Sequence, residues 1–390
     1  MDELKARELV IKAGLDLIEN GLIARTWGNV SCRVDENSFV ITPSGRPYES
    51  LAPKDIVLCA VEDASYTGDV KPSSEKGIHA LIYRERPEAN FVIHTHQIQA
   101  SAVSVFDKTE IPADVSSQGE TIQIAQYGLP STKKLCNGVA EALKKSKGKA
   151  IIMAHHGVVC FGTDSQEAFN TARALENDSR NYIARVYENA NSKKPETERS
   201  IYSYYCKKHS SSALTFPQKP QQLGCSRRVE DGFVLTLDGR ETTVNLNQKS
   251  MSVKESVHAE IYKRRKDIKF ITHADGDELL AVSTARTPLA PLLDDFAQIA
   301  GRHALCSKSA LPKDIVKALG QSAGVLVPEY GALCCAGTQS DAHAMQLVME
   351  KNAYAQIAAS LEGKPRALSR IDCFIMRLVY KLSYSKKSEE

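Results

Sequence analysis

Two places in this sequence set imidazoles at a spacing that one metal ion can bridge. In Phe91-Val92-Ile93-His94-Thr95-His96 the strand period of two turns both histidines to one face, about 6.5 to 7 Å apart along the backbone. A second apolar run, Ile151-Ile152-Met153-Ala154, leads into His155-His156-Gly157, where glycine lets the backbone come close to a neighbour. Only one of two adjacent strand residues faces a given side, so this pair adds one imidazole. Three neutral imidazoles with a position left open form the donor set of catalytic, as opposed to structural, zinc. The 10 cysteines contain no C-x-x-C pair, so metal chemistry here rests on histidine and carboxylate.

Three short turns of small polar residues could present N–H and O–H groups to an anion. Pro72-Ser73-Ser74-Glu75 precedes a helix beginning near Lys76, at the positive end of its dipole. Thr42-Pro43-Ser44-Gly45 and Gly28-Asn29-Val30-Ser31 are the others. Neither a Walker loop nor G-x-G-x-x-G occurs, which argues against a nucleotide cradle.

The elements that must position these residues follow from periodicity. Asp2–Asn20 reads as a helix with Leu9, Val10, Ala13 and Leu17 near one face, stopping at Asn20-Gly21. Ser38–Ile41, Ile56–Ala60 and Asn90–His96 read as strands, and Ser74–Arg86, Lys133–Lys145 and Ser165–Asn189 as helices. Ala150–Cys160 reads as one buried strand broken at Gly157. Such mixing predicts a layered α/β fold. From about Asn191 to Gln222 the chain turns to Ser, Lys, Pro and Gln, the composition of a connector or extended arm. The expected division is therefore 1–195, a linker at 196–222, and a second domain at 223–385.

A length of 390 residues calls for two or three globular units. Fifty Lys and Arg against 47 Asp and Glu leave +3, the balance of an ordinary protein with no demand for nucleic acid or an anionic membrane. No stretch approaches the roughly 18 apolar residues of a spanning helix, and MDELKARELVIKAG lacks the apolar core of a secretory signal. A cytoplasmic protein with reduced, buried cysteines is the expectation.

The chain also repeats itself. Ser73–Ser104 aligns without gaps on Ser252–Ser283, pairing His79 with His258, Tyr83 with Tyr262 and His94 with His273. FVITPSGR from Phe39 answers FVLTLDGR from Phe233, and HGVVCFGT from His156 answers YGALCCAGT from Tyr330. Three matches in one order predict two copies of one fold.

The motifs Gly21-Leu22, GNVS (28–31), ITPSGRPYESL (41–51), PSSE (72–75), RPEANFVIHTH (86–96) and HHG before a helix (155–157) stand together in order. On them, residues 1 to about 190 resemble the class II aldolase and adducin family, most closely its fuculose 1-phosphate aldolase branch. The resemblance implies a layered α/β/α fold, a central mixed or antiparallel sheet flanked by helices, here present twice. It implies Zn2+, or another divalent transition metal, held by His94, His96 and His156, with Glu75 as acid/base residue that also reaches the metal. His155 is left a structural role or one of supporting the ligands from behind. Gly28, Asn29, Ser44, Gly45, Ser73 and Ser74 would bind the phosphate of a small phosphorylated sugar. The implied reaction is cleavage or formation of a C–C bond through a metal-bound enediolate. The family's tyrosine after the H-x-H helix is replaced near Ser116, leaving Tyr202, Tyr204 or Tyr205 as stand-ins. The family also implies a homo-oligomer, a dimer of tandem chains or a tetramer.

In the second copy Glu75 becomes Lys254, His96 becomes Asp275 and His156 becomes Tyr330, leaving His273. Ser44 falls opposite Asp238 and Ser74 opposite Val253. The expectation is a degenerate domain without a metal site. Two other readings remain: a phosphopentose 4-epimerase, which keeps the metal and the C–C chemistry, and a non-enzymatic adducin-like assembly protein, against which the intact set Glu75, His94, His96 and His156 argues.

Overall fold

Asp2 starts the first helix by accepting the Lys5 N–H with its side chain, and Ala6, Val10, Ala13 and Leu17 form the buried stripe of α1 (Glu3–Glu19). The structure is a computed structural model, describing all residues except 24–26, 115–118, 193–197, 211–214, 218–220 and 384–390. It divides at residues 185 and 186 into two compact units.

In the first unit α1 is followed by β1 (Asn29–Arg33), β2 (Ser38–Ile41), β3 (Val57–Ala60), α2 (Lys76–Glu85), β4 (Phe91–Thr95) and α3 (Ile98–Val103). Then come β5 (Glu110–Pro112), β6 (Thr121–Ala125), α4 (Lys133–Lys145), β7 (Ala150–Met153), β8 (Val158–Gly162) and α5 (Ser165–Asn191), whose last residues lie beyond the division. The eight strands lie in the order β3-β2-β1-β4-β8-β7-β6-β5, antiparallel except for β6 against β7. Phe39, Ile41, Val92, Val159 and Phe161 share one core with Ile78 and Ile82 of α2 and Val139 and Leu143 of α4. The alternating residues Val30, Val40, Ile93 and Cys160 are equally buried on the other face, as a sheet covered on both sides requires.

The second unit contains α6 (Glu198–His209), β9 (Cys225–Val229), β10 (Gly232–Leu237), β11 (Arg240–Asn245), α7 (Val253–Arg264), β12 (Phe270–Ala274) and α8 (Asp277–Thr284). It continues through α9 (Asp294–Ile299), α10 (Pro312–Leu319), β13 (Gly324–Val327), β14 (Gly331–Ala336), α11 (Gln339–Ser360) and α12 (Arg370–Ser383). Its strand order, β11-β10-β9-β12-β14-β13, reproduces the first six strands of the other sheet.

The likeness reaches single hydrogen bonds. Ser31 Oγ lies 2.6 Å from His79 Nδ1 and 2.8 Å from the Tyr83 hydroxyl; Ser226 Oγ lies 2.7 Å from His258 Nδ1 and 2.8 Å from the Tyr262 hydroxyl. Arg33 covers the Tyr83 ring and donates to the carbonyls of Ala89 and Tyr83, and Arg228 does the same with Tyr262 and the carbonyls of Ile268 and Tyr262. Buried polar side chains are stable only when partnered, and each unit solves that problem with the same four residues.

Two readings of the sequence need correction. Ala150–Cys160 is two antiparallel strands, β7 and β8, joined by a turn closed by Met153 N–H donating to Gly157 O at 2.8 Å. Apolar runs on either side of a four-residue turn look like one buried strand, because both faces of the sheet are covered. Within the expected arm lies helix α6, where Ile201, Tyr202, Tyr205 and Cys206 make a buried stripe at helical spacing amid Ser and Lys. All ten cysteines are free thiols, and no helix among the described residues is long and apolar enough to cross a membrane.

Candidate metal centre

His94 is fixed by its strand. In β4 it stands opposite Asn29 of β1 and Val159 of β8, and its Nδ1–H donates to the Val158 carbonyl at 2.8 Å. That bond leaves Nε2 as the lone-pair nitrogen and aims it into the site. His96 follows the end of β4 and donates its backbone N–H to Leu22 O at 3.2 Å. His156 lies in the β7–β8 turn, and His155 before it takes a left-handed backbone, φ 62°. This kink turns the two adjacent histidines apart: His155 lies against Tyr127, with ring centroids 5.5 Å apart, while His156 stacks on His94 at 4.8 Å.

Gly157 makes the approach possible. A Cβ there would sit 2.5 Å from Thr95 O, 3.2 Å from His94 Cε1 and 3.4 Å from His96 Cδ2, the first a backbone overlap no side chain tolerates. The three histidines consequently offer ligand nitrogens within 4.8 Å of one another, and no other such group of three occurs among the described residues.

Glu75 enters from the N-terminus of α2. Its Oε1 lies 2.8 Å from His156 Nε2 and its Oε2 3.1 Å from His94 Nε2. Asn29 Nδ2 donates to Oε2 at 3.2 Å. Burial pushes the His94 imidazole well below its ordinary value, against the pull of Glu75. Burial also works to raise the Glu75 carboxyl, but the neighbouring imidazoles outweigh it and hold Glu75 well below the usual carboxylate range. His94 Nε2 thus faces a carboxylate oxygen 3.1 Å away and His96 Nε2 3.0 Å away. Electron-rich atoms converge this closely where a cation sits between them, so these donors fit a divalent metal.

The anion turns lie beside the donors. Ser44 N–H donates to Lys71 O and Ser73 N–H to Thr42 O, both at 2.9 Å, so the two segments run side by side. Those N–H groups are thereby engaged, and what Ser44 and Ser73 retain for a ligand is the hydroxyl. Ser73 Oγ also accepts from Glu75 N–H at 3.3 Å. Ser74 is exposed at the mouth of α2, and Gly45 turns with φ 68°. Gly28, at φ 129°, could carry no side chain, since a Cβ would lie 2.8 Å from His94 O.

Sequence reasoning missed the support behind Glu75. His79 Nε2 meets Asn29 Oδ1 at 2.5 Å and its Nδ1 meets Ser31, so the amide of Asn29 is oriented with its NH2 toward Glu75. The repeat pairing of His79 with His258 was the available signal. Gln97 and Glu176 were missed as well. Glu176 accepts the N–H groups of Gln99 and Ala100 at 2.7 and 3.1 Å, and Gln97 donates to Ala172 O at 2.9 Å, tying the exit from the H-x-H segment to α5. Ser116 lies outside the described residues. Tyr202 and Tyr205 are buried in the second unit, their hydroxyls bonded to Glu278 at 3.0 Å and Gln356 at 3.4 Å, and Tyr204 packs on Tyr187. The two buried hydroxyls are therefore not presented to a substrate.

In the second unit both ring nitrogens of His273 meet protein oxygens, Gln222 Oε1 at 3.0 Å and Tyr330 O at 2.7 Å, and Asp275 accepts from Gln222.

The family model described as class II aldolase and adducin N-terminal domain matches twice, over residues 8–183 and 220–357. The chain belongs to that family. The L-fuculose phosphate aldolase of Escherichia coli K12 is 34% identical over 180 residues, 45% of this chain and 81% of its own length. The 5-deoxy-D-ribulose 1-phosphate aldolase of Bacillus thuringiensis serovar kurstaki is 30% identical over 187 residues, covering 47% and 84%. The 3-oxo-tetronate 4-phosphate decarboxylase of Haemophilus influenzae is 29% identical over 184 residues, covering 45% and 86%. A solved L-fuculose 1-phosphate aldolase aligns at 27% identity with a TM-score of 0.43, over 46% of this chain and 84% of that one.

Proposed function

We propose that this protein is a zinc-dependent lyase that cleaves or forms a C–C bond in a small phosphorylated ketose at the first unit. The observation that carries the reading is the convergence of His94, His96 and His156 on the carboxylate of Glu75. A divalent cation held by the three imidazoles would supply positive charge where negative charge develops beside the ketone. Glu75, held by Asn29 and drawn below the usual carboxylate range, takes up and returns the proton. The hydroxyls of Ser44, Ser73 and Ser74, with Gly28, Asn29 and Gly45, bind and orient the phosphate, fixing the reacting carbons against Glu75. The relatives named as aldolases of 5-deoxy-D-ribulose 1-phosphate and of L-fuculose phosphate support this substrate class.

The second unit, in which Lys254, Asp275 and Tyr330 replace three of the four donors, serves as scaffold without a metal. The test is the metal content of purified protein together with turnover of a panel of phosphorylated ketoses. About one zinc per chain is expected, with loss of both metal and turnover in His94→Ala. Stoichiometric metal with no aldehyde and no dihydroxyacetone phosphate released from any ketose would refute the lyase reading.

A further inference from the structure

Helix α12 lies C-terminal to both segments matched by the family model and has two apolar faces. Cys373, Met376 and Tyr380 are buried against the second unit. There Tyr380 donates its hydroxyl to Asp341 at 3.0 Å, and Arg377 donates to the carbonyls of Gln298 and Ile299. The opposite face carries Ile371, Phe374, Ile375, Leu378, Val379 and Leu382, each 40 to 71% exposed. Scattered exposed leucines are ordinary; six contiguous large apolar side chains on one helix are not.

The pattern says what fits them. Ile371, Ile375, Leu378 and Leu382 are separated by four, three and four residues, the seam spacing of a two-stranded coiled coil, whose partner is another helix with the same seam. We propose that α12 pairs with α12 of a second copy of this chain. At these exposures one face amounts to about 600 Å², and two faces together to about 1,200 Å², the lower bound of a specific interface. Antiparallel pairing sets Ile371 against the partner's Leu382 and Ile375 against the partner's Leu378, so each layer holds one Ile and one Leu, and it opposes the helix dipoles. An anionic membrane fits less well. Arg377 is turned inward to the Gln298 and Ile299 carbonyls, and Asp372 offsets one of the two remaining cations, Arg370 and Lys381.

The test is the mass of the full chain in sedimentation velocity at micromolar concentration, with Leu378→Glu, Phe374→Glu and the milder Leu378→Ala, all at exposed positions. A wild-type assembly of two chains or more is expected. Its mass should halve in the glutamate variants with unchanged circular dichroism and melting temperature, and Leu378→Ala should raise the dissociation constant by at least about tenfold. A monomeric wild type, or an assembly of the same mass in all the variants, would overturn the proposal. So would co-flotation of a monomeric wild type with phosphatidylserine vesicles that Leu378→Glu abolishes.

Discussion

Replacing Gly157 by alanine adds one methyl group at the point where the β7–β8 turn crosses the end of β4. The new Cβ would begin 2.5 Å from Thr95 O, and relieving that overlap to an ordinary contact separates the turn from β4 by the better part of an ångström. His156 rides on the turn and His94 on the strand, so the same displacement opens the distance between ligand nitrogens. Metal–nitrogen bonds tolerate about 0.2 Å, and the displacement exceeds that several-fold. Metal affinity should fall by at least about 10- to 100-fold, the loss typical of disturbed ligand support. Overpacking should separately destabilise the fold by about 1–3 kcal/mol. Competition with a chromophoric chelator reads the first and urea unfolding of the metal-free protein the second. Lower stability with unchanged metal affinity would refute the argument that this contact sets the ligand geometry.

Burial lowers the His258 pKa to about 4. The unfolded chain, with an ordinary imidazole near 6.5, takes up a proton below that pH that the folded chain refuses, so the stability is whole above about 6.5 and is lost toward pH 4, about 3 kcal/mol in total. The difference in unfolding free energy between wild type and His258→Gln should shrink as pH falls through that range; a difference that does not change with pH would sink the idea. Asn29→Ala removes the donor to Glu75 Oε2 and should cut kcat about 10- to 100-fold, with the acid limb of the pH–rate profile moved upward as Glu75 becomes easier to protonate. An unmoved limb contradicts the role given to Asn29. Glu176→Ala withdraws the acceptor for two N–H groups at the start of α3 and should lower stability by about 0.5–2 kcal/mol, measured by thermal melting; an unchanged melting temperature counts against it.

Much of the candidate site is legible because its residues lie in short contiguous motifs. His94 and His96 stand two apart on a strand whose apolar neighbours announce it, and Glu75 closes a turn before a helix that begins at Lys76 as expected. Helix α4 and strand β2 have the bounds their periodicity implies, since each has a clean polar limit. The internal repeat makes the doubled fold readable in the sequence, and the matching strand orders follow from it. What escaped notice depends on contacts between distant segments. Ser31, His79 and Tyr83 are single buried polar residues, and nothing local distinguishes a hydrogen-bonded core histidine from a ligand. The turn at 154–157 was hidden because a left-handed His155 leaves no mark on composition. The anion turns were overcounted as N–H donors, because the cross-bonds from Ser44 to Lys71 and from Ser73 to Thr42 belong to their pairing and not to either sequence alone.

The serine, histidine, tyrosine and arginine that recur at 31, 79, 83 and 33 and at 226, 258, 262 and 228 survive in a unit where three of the four candidate metal donors are replaced. Chassis and reactive parts are thus separable in this fold, and the second unit is a blank mount for transplanted chemistry. Such a graft needs more than Lys254→Glu, Asp275→His and Tyr330→His. Gly224 occupies the place of Asn29, and His258 turns its Nε2 to the carbonyl of Leu223. A carboxylate installed there would therefore lack its brace until an amide was supplied as well.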